Sequence, residues 1–234
     1  MDINCDLGEG MANDAQIMAY ISRCNIATGA HAGSRDLILK TMRLAQEHQV
    51  AIGAHPSYAD RQNFGRISMD LPPAELKNSL RGQIELILEC ANLCGVTLTH
   101  IKPHGALYHD VAKTPEIAEL LMDVVKELCP KAVVITAANS VLFDLGDLPQ
   151  EAIWAESFID RRYNPDLSLV SRSEPEAVIH DPDQATQQFI DLCAGRVHTI
   201  DDQLIPLSSR TCCIHSDHPN ALAIAKAIWA INHD

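Results

Sequence analysis

The chain of 234 residues is 47% hydrophobic and carries a formal charge of −13. This length and apolar content suffice for one full core, so the expectation is a single domain over residues 1–234. The acidic balance excludes nucleic acid as a partner, because a polyanion is bound by a basic surface. A small anionic substrate is still compatible, provided specific cations meet it inside a pocket.

In chain order, short apolar segments near 2–6, 24–29, 50–55, 97–103, 132–137, 152–156 and 211–215 read as seven strands. Longer stretches of helical period lie between several of them, the pattern of repeated βα units around a parallel sheet. Over 73–94 the apolar residues Leu76, Leu80, Ile84, Ile87, Leu88 and Ala91 recur at three- and four-residue steps, with Pro73 near the start and Gly95 as a stop. Thr114 and Pro115 predict the cap and first turn of a helix striped by Ile117, Leu121, Val124 and Leu128. Asp181 and Pro182 open another, with Gln184 placed to complete a capping box, and Pro219 opens a last one through Ala230. Periodicity alone leaves two folds open, a closed barrel and an open doubly wound sheet.

The longest apolar runs, such as 133–138, are far too short to span a bilayer. Met1, Asp2, Ile3 and Asn4 carry neither a basic segment nor an apolar signal core, so no membrane or export role is expected. Eight cysteines without a CxxC pair, most in apolar surroundings, read as reduced buried thiols of a cytoplasmic protein. Neither GxGxxG nor GxxxxGK[ST] occurs, which removes the usual dinucleotide and P-loop readings.

The polar residues collect at strand ends: Asp6 and Glu9, His31, His55, Lys102 and His104, Glu156 with Asp160 and Arg161, and His215 with Asp217. In parallel α/β folds the loops leaving these ends meet at one face, so residues far apart in sequence converge. Alternation sharpens the expectation, since Asn4 shares a strand side with Asp6, Gly53 with His55, and Lys102 with His100 and His104. Lys102 precedes Pro103, which ends regular pairing and holds the ammonium at the strand's end, where an ion pair with Asp6 or Glu156 is also expected. Arg66, Arg161 and Arg172 stand among Gly, Asn and Ser and suit recognition of a carboxylate or phosphate, whereas Arg61 and Arg162 read as solvated. His109 and His218 read as loop or cap residues. Segments 56–69 and 160–172 read as binding loops or lids, with variable surface decoration as the plain alternative.

At these residues the sequence resembles the LamB/YcsF family, in DINCDLGEG at 2–10, NIATGAHAG at 25–33, IGAHP at 52–56, NFGR at 63–66, HIKPHGALY at 100–108, DRRY at 160–163 and CIHSD at 213–217. The resemblance implies a seven-stranded (β/α)7 TIM-like barrel of the glycoside hydrolase/deacetylase-like superfamily. It also implies cleavage of 5-oxo-L-proline to L-glutamate coupled to ATP hydrolysis, with Mg2+ accompanying the nucleotide, together with partner subunits B and C. No tightly bound metal is expected, and a homo-oligomer is left open. The family usually has Cys at Thr28, an aromatic residue at Ala30, Asp at Ser34, Gly at Ser57, Arg at Ile67, and Gly at Leu167 and Ser216.

A lactam is a poor electrophile, and phosphorylating its carbonyl oxygen would make that oxygen a leaving group, which explains a need for ATP. On this reading Lys102 with His104 stabilises charge on the carbonyl oxygen, and Asp6, Glu156 or His55 positions and deprotonates water. Arg161 or Arg66 holds the substrate carboxylate, and Glu9, His31, Asp160, Arg172 and His215 complete the binding set. Two rivals stand beside it: a metal-dependent deacetylase using Asp6, His31 and His55, and a noncatalytic subunit that only holds the lactam.

Overall fold

A computed structural model describes residues 1–145 and 149–233. Strands β1 (Asp2–Leu7), β2 (Arg23–Ala27), β3 (Ala51–His55), β4 (Leu98–Ile101), β5 (Val133–Ala137), β6 (Ile153–Phe158) and β9 (Thr211–His215) form a closed parallel barrel in the order β1-β2-β3-β4-β5-β6-β9. Closure comes from β1, which pairs with β2 on one side and β9 on the other. The open doubly wound alternative is thereby excluded. A short antiparallel hairpin, β7 (Arg196–His198) with β8 (Leu204–Pro206), lies outside the barrel.

The outward side of each strand is apolar and packs beneath helices. Ile3, Cys5, Leu7, Cys24, Ile26, Ile52 and Ala54 are all buried in one core, with α2 (Arg35–Glu47), α3 (Pro73–Cys94), α4 (Gly105–Lys113), α5 (Pro115–Leu128), α6 (Pro182–Cys193) and α7 (Ala221–His233) among the helices; α1 (Asp14–Ile17) is a single turn. In α3 the predicted stripe is buried except for Leu88, which is partly exposed, and Gly95 ends the helix in the left-handed region at φ 66°. Among the described residues no helix is long and apolar enough to cross a membrane.

Several expectations need correction. The strand read at 24–29 ends at Ala27, because Gly29 turns the chain at φ 96°, and the strand read at 97–103 ends at Ile101, before Pro103. Asp181 caps α6 by accepting from the Asp183 amide, but Gln184 points away and accepts from Arg162, so no reciprocal box forms. Thr114 precedes α5 without a side-chain cap bond. The last helix begins at Ala221, two residues after Pro219, and the turn before it is held by His218 Nδ1 accepting from the Asn220 amide. His109 lies within α4, not in a loop.

Candidate active site

The barrel interior is polar. Asn4, Asp6, Asn25, His100, Lys102, Glu156 and Thr211 are all buried and bonded to one another. Asn25 Nδ2 donates to Asn4 Oδ1 and Asp6 Oδ1 at 2.8 and 2.7 Å, and Asn4 Nδ2 donates to Glu156 Oε1 at 2.7 Å and to Thr211. His100 Nε2 reaches Asn25 Oδ1 at 2.8 Å. Gly53 makes room for that ring, since a Cβ on it would lie 2.2 Å from the imidazole, and the β3–β4 register shifts between Ile52 and Gly53. Buried polar groups are tolerated when mutually satisfied, and satisfaction here runs across strands that sequence spacing keeps far apart.

Lys102, only 2% exposed, is the hub. Its ammonium lies 2.9 Å from Glu156 Oε1, 3.1 Å from Asp6 Oδ1 and Asn4 Oδ1, and 3.0 Å from Cys213 Sγ. Burial opposes its charge, but Asp6, Cys213 and Glu156 raise its pKa well above the usual lysine value. Burial likewise pushes the Asp6 carboxyl up, yet His55 and Lys102 hold it well below its ordinary range. Both expected ion pairs of Lys102 therefore form. Its three N–H bonds are spent on these neighbours, so it acts on the cavity through Asp6 and not as a free donor to substrate.

Above the hub opens a cavity of about 310 Å3 lined by Asp6, Glu9, His55, Lys102, His104 and His215 toward the barrel, and by Arg66, Arg161, Arg172 and Asp217 toward solvent. Three residues expected to line it do not. Glu156 lies beneath Lys102, His31 lies behind His104 with the two rings stacked 3.8 Å apart, and Asp160 lies behind His215. Asp160 still shapes the wall, because it accepts from the His215 amide and ring Nδ1 at 3.0 and 2.9 Å; burial pushes its carboxyl up, and His215 brings it down to about 2. The His215 ring stacks on Phe158 at 5.4 Å.

The three arginines differ. Arg66 and Arg172 reach in from two loops to share Asp217 Oδ2, at 2.6 and 3.2 Å. Arg161 is 6% exposed, donates to the carbonyls of Val170 and Ala177, and has no carboxylate within ion-pair distance among the described residues. Burial, followed by Arg172, lowers its pKa to about 10, so it is charged at neutral pH. Arg61 is exposed, as read, and also donates to the carbonyls of Gly29 and Gly33, strapping segment 56–69 to the loop carrying His31. Asp217, Phe64, Tyr108 and Phe158 also line the cavity. In the sequence Asp217 is visible only as the end of the His215 series, and its partners lie far away along the chain.

The departures at small residues add hydroxyls to this site. Ser57 Oγ sits 2.8 Å from His31 Nδ1, and Ser216 donates to the Asp6 carbonyl at 2.7 Å. Ser34 still caps α2 by accepting from the Leu37 amide. Leu167 adopts φ 66°, the left-handed backbone that favours the glycine usual in the family.

Glu9, His31, His55 and His104 offer ligand atoms within 4.8 Å of one another, as do Asp6, Cys213 and His215. In the first group one ion cannot lie in the planes of both stacked rings, His31 and His104, which are 5° from parallel. In the second, the Lys102 ammonium already stands beside Asp6 and Cys213. The trio Asp6, His31 and His55 expected of a metal-dependent deacetylase falls into no single one of these groups.

Fold and site together define a (β/α)7 barrel protein with a buried charged floor and an anion-compatible mouth at the carboxyl ends of its strands. Residues 1–233 match the model of the LamB/YcsF family, and the chain belongs to that family. It is 32% identical to a lactam utilization protein from Thermus thermophilus, with a TM-score of 0.90 over 100% of this chain and 96% of that one. A family 4 carbohydrate esterase from Streptomyces lividans, solved with acetate, is 11% identical at a TM-score of 0.48, covering 98% of this chain and 85% of that one, a likeness too slight to bear on mechanism.

Proposed function

We propose that this chain is the A subunit of a 5-oxoprolinase, opening the ring of 5-oxo-L-proline to L-glutamate in an ATP-dependent reaction with partner subunits B and C. Family membership and the lactam utilization relative support the substrate class. The observation that carries the reading is Arg161, a buried guanidinium facing a small cavity with no carboxylate within ion-pair distance among the described residues. A buried charge without a counter-ion is costly, and a substrate carboxylate supplies one with forked hydrogen bonds.

With that carboxylate on Arg161, the lactam carbonyl points inward toward Asp6, His55 and His104. Of the three bases considered, Glu156 is covered by Lys102, which leaves Asp6 and His55 within reach of a water molecule. Asp6 Oδ2 positions this water, and Lys102 and Asn25 fix the carboxylate through Oδ1. Glu156 is thus a positioning residue, acting through Lys102. For a nucleotide, the cavity offers one ammonium already committed to two carboxylates and three arginines, two of which share Asp217, which does not fit a whole triphosphate. No step is therefore assigned to ATP on this chain.

The test is glutamate release from 5-oxoproline with ATP, Mg2+ and subunits B and C, with this chain present, omitted, or carrying Arg161→Ala. The expected result is dependence on the chain and a KM raised about 10- to 100-fold in the variant, as for loss of a charge-assisted bond. Equal glutamate release without the chain would defeat the proposal.

A further inference from the structure

We infer that His55 and His104 share three protons and form a preloaded acid, whose extra proton on His55 goes to the leaving nitrogen. The chemical role rests on the ring opening proposed above, whereas the proton count rests on geometry alone. His55 Nδ1 lies 2.6 Å from the Lys102 carbonyl oxygen, and His104 Nε2 lies 2.9 Å from the Phe64 carbonyl oxygen. A carbonyl oxygen only accepts, so both nitrogens carry hydrogen. The two remaining nitrogens, His55 Nε2 and His104 Nδ1, face each other at 2.9 Å. Two lone pairs would repel there, and a hydrogen between them makes a bond. That gives three protons on two rings, one more than two neutral imidazoles own.

Asp6 Oδ2, 3.3 Å from His55 Nε2, is the counter-charge and places the cation on His55. Burial and then the charge of His55 lower His104 to about 3, so that ring is neutral. The other neighbours agree. His31 and His100 are pushed down by burial and by surrounding cations and imidazoles. Burial and then Asp6 and Asp217 push the Glu9 carboxyl up, and its Oε1 lies 3.1 Å from His31 Nε2 and 3.6 Å from His104 Nδ1. His31 Nδ1 donates to Ser57, whose hydroxyl goes to the Tyr58 carbonyl. The Lys102 ammonium faces Asp6 and Glu156, and Arg66 lies over Phe64 at the rim.

The backbone is bent to hold this arrangement. Phe64 and Gly65 are both left-handed, at φ 55° and 64°, a costly state for phenylalanine that aims its carbonyl at His104. Gly65 O accepts from the Ala106 amide, and a Cβ on Gly105 would come within 2.5 Å of it.

In ring opening, water adds its hydroxyl to the carbonyl carbon and passes its proton to Asp6 Oδ2. The C–N bond breaks with its electron pair on nitrogen, which takes the proton of His55 Nε2. Two neutral imidazoles remain, and Asp6 returns the proton to His55.

The test is NMR of the intact chain labelled with 15N-histidine, at pH 7 and without substrate, so that a wrong substrate leaves its answer standing. Both His55 nitrogens protonated, with His104 as the Nε2–H tautomer, is the expected result; a neutral His55 overturns the inference. Zinc chloride titration should leave these signals unchanged, and stoichiometric uptake that abolishes them would put a metal ion where the proton is assigned. In the assembled complex, His55→Gln should lower kcat about 10²- to 10⁴-fold, as for loss of a general acid, and near-normal turnover overturns the catalytic role.

Discussion

The floor and the rim of the cavity use the same residue types in opposite ways. On the floor, Lys102, Asp6 and Glu156 are buried and mutually committed, so each charge is part of the fold. At the rim, Arg66, Arg172 and Asp217 are partly exposed and joined across loops, where water competes for every bond. The lesson is that charge is structural where it is dry and exchangeable where it is wet.

The sharpest way to break this contrast is Lys102→Met, which leaves two buried carboxylates uncompensated and should cost about 3–5 kcal/mol. Urea unfolding measures it, and a loss below about 1 kcal/mol would show that the floor is not what we describe. Acid should also weaken the buried wall above the floor. The folded state lowers His104 from 6.5 to about 3, so between those values the unfolded chain binds the extra proton and stability falls as pH falls through that window. Thermal scans from pH 7 to 4 test the sign, and a Tm that rises would contradict it. Gly53→Ala, crowding His100, should cost about 1–3 kcal/mol. Smallest is Asp217→Asn at the rim, expected to change stability by less than about 1 kcal/mol while altering KM; a large drop in Tm would make the rim structural after all.

Seven parallel strands are legible in the sequence because short apolar segments alternate with helical stretches and alternation along β1 and β3 separates apolar from polar sides, whereas closure into a barrel comes only from the family resemblance. The ends of strands were less so, since Thr28 and Gly29 continue an apolar run that the backbone has already left. Helix α4 has no signature in the sequence because it begins at Gly105, directly after Pro103 and His104, a cluster that reads as loop. The hairpin of β7 and β8 has strands of three residues, too short for alternation to register. In the site, the sequence pairs Lys102 with Asp6 or Glu156 but does not reveal that it holds both at once and covers Glu156. Arg61 is exposed as its sequence context implies, but its carbonyl partners at Gly29 and Gly33 are invisible to any local pattern.

The place of β1 between β2 and β9 has a consequence for biosynthesis. The first strand waits for residues near 213 before its second edge is paired, so a pairing between segments far apart in the chain is the one that shuts the barrel. Asn4 meets Thr211, and Lys102 meets Cys213, only then. A nascent chain that has not released its last strand therefore has an open sheet edge and an unfinished cavity floor, and the two deficits end in a single event.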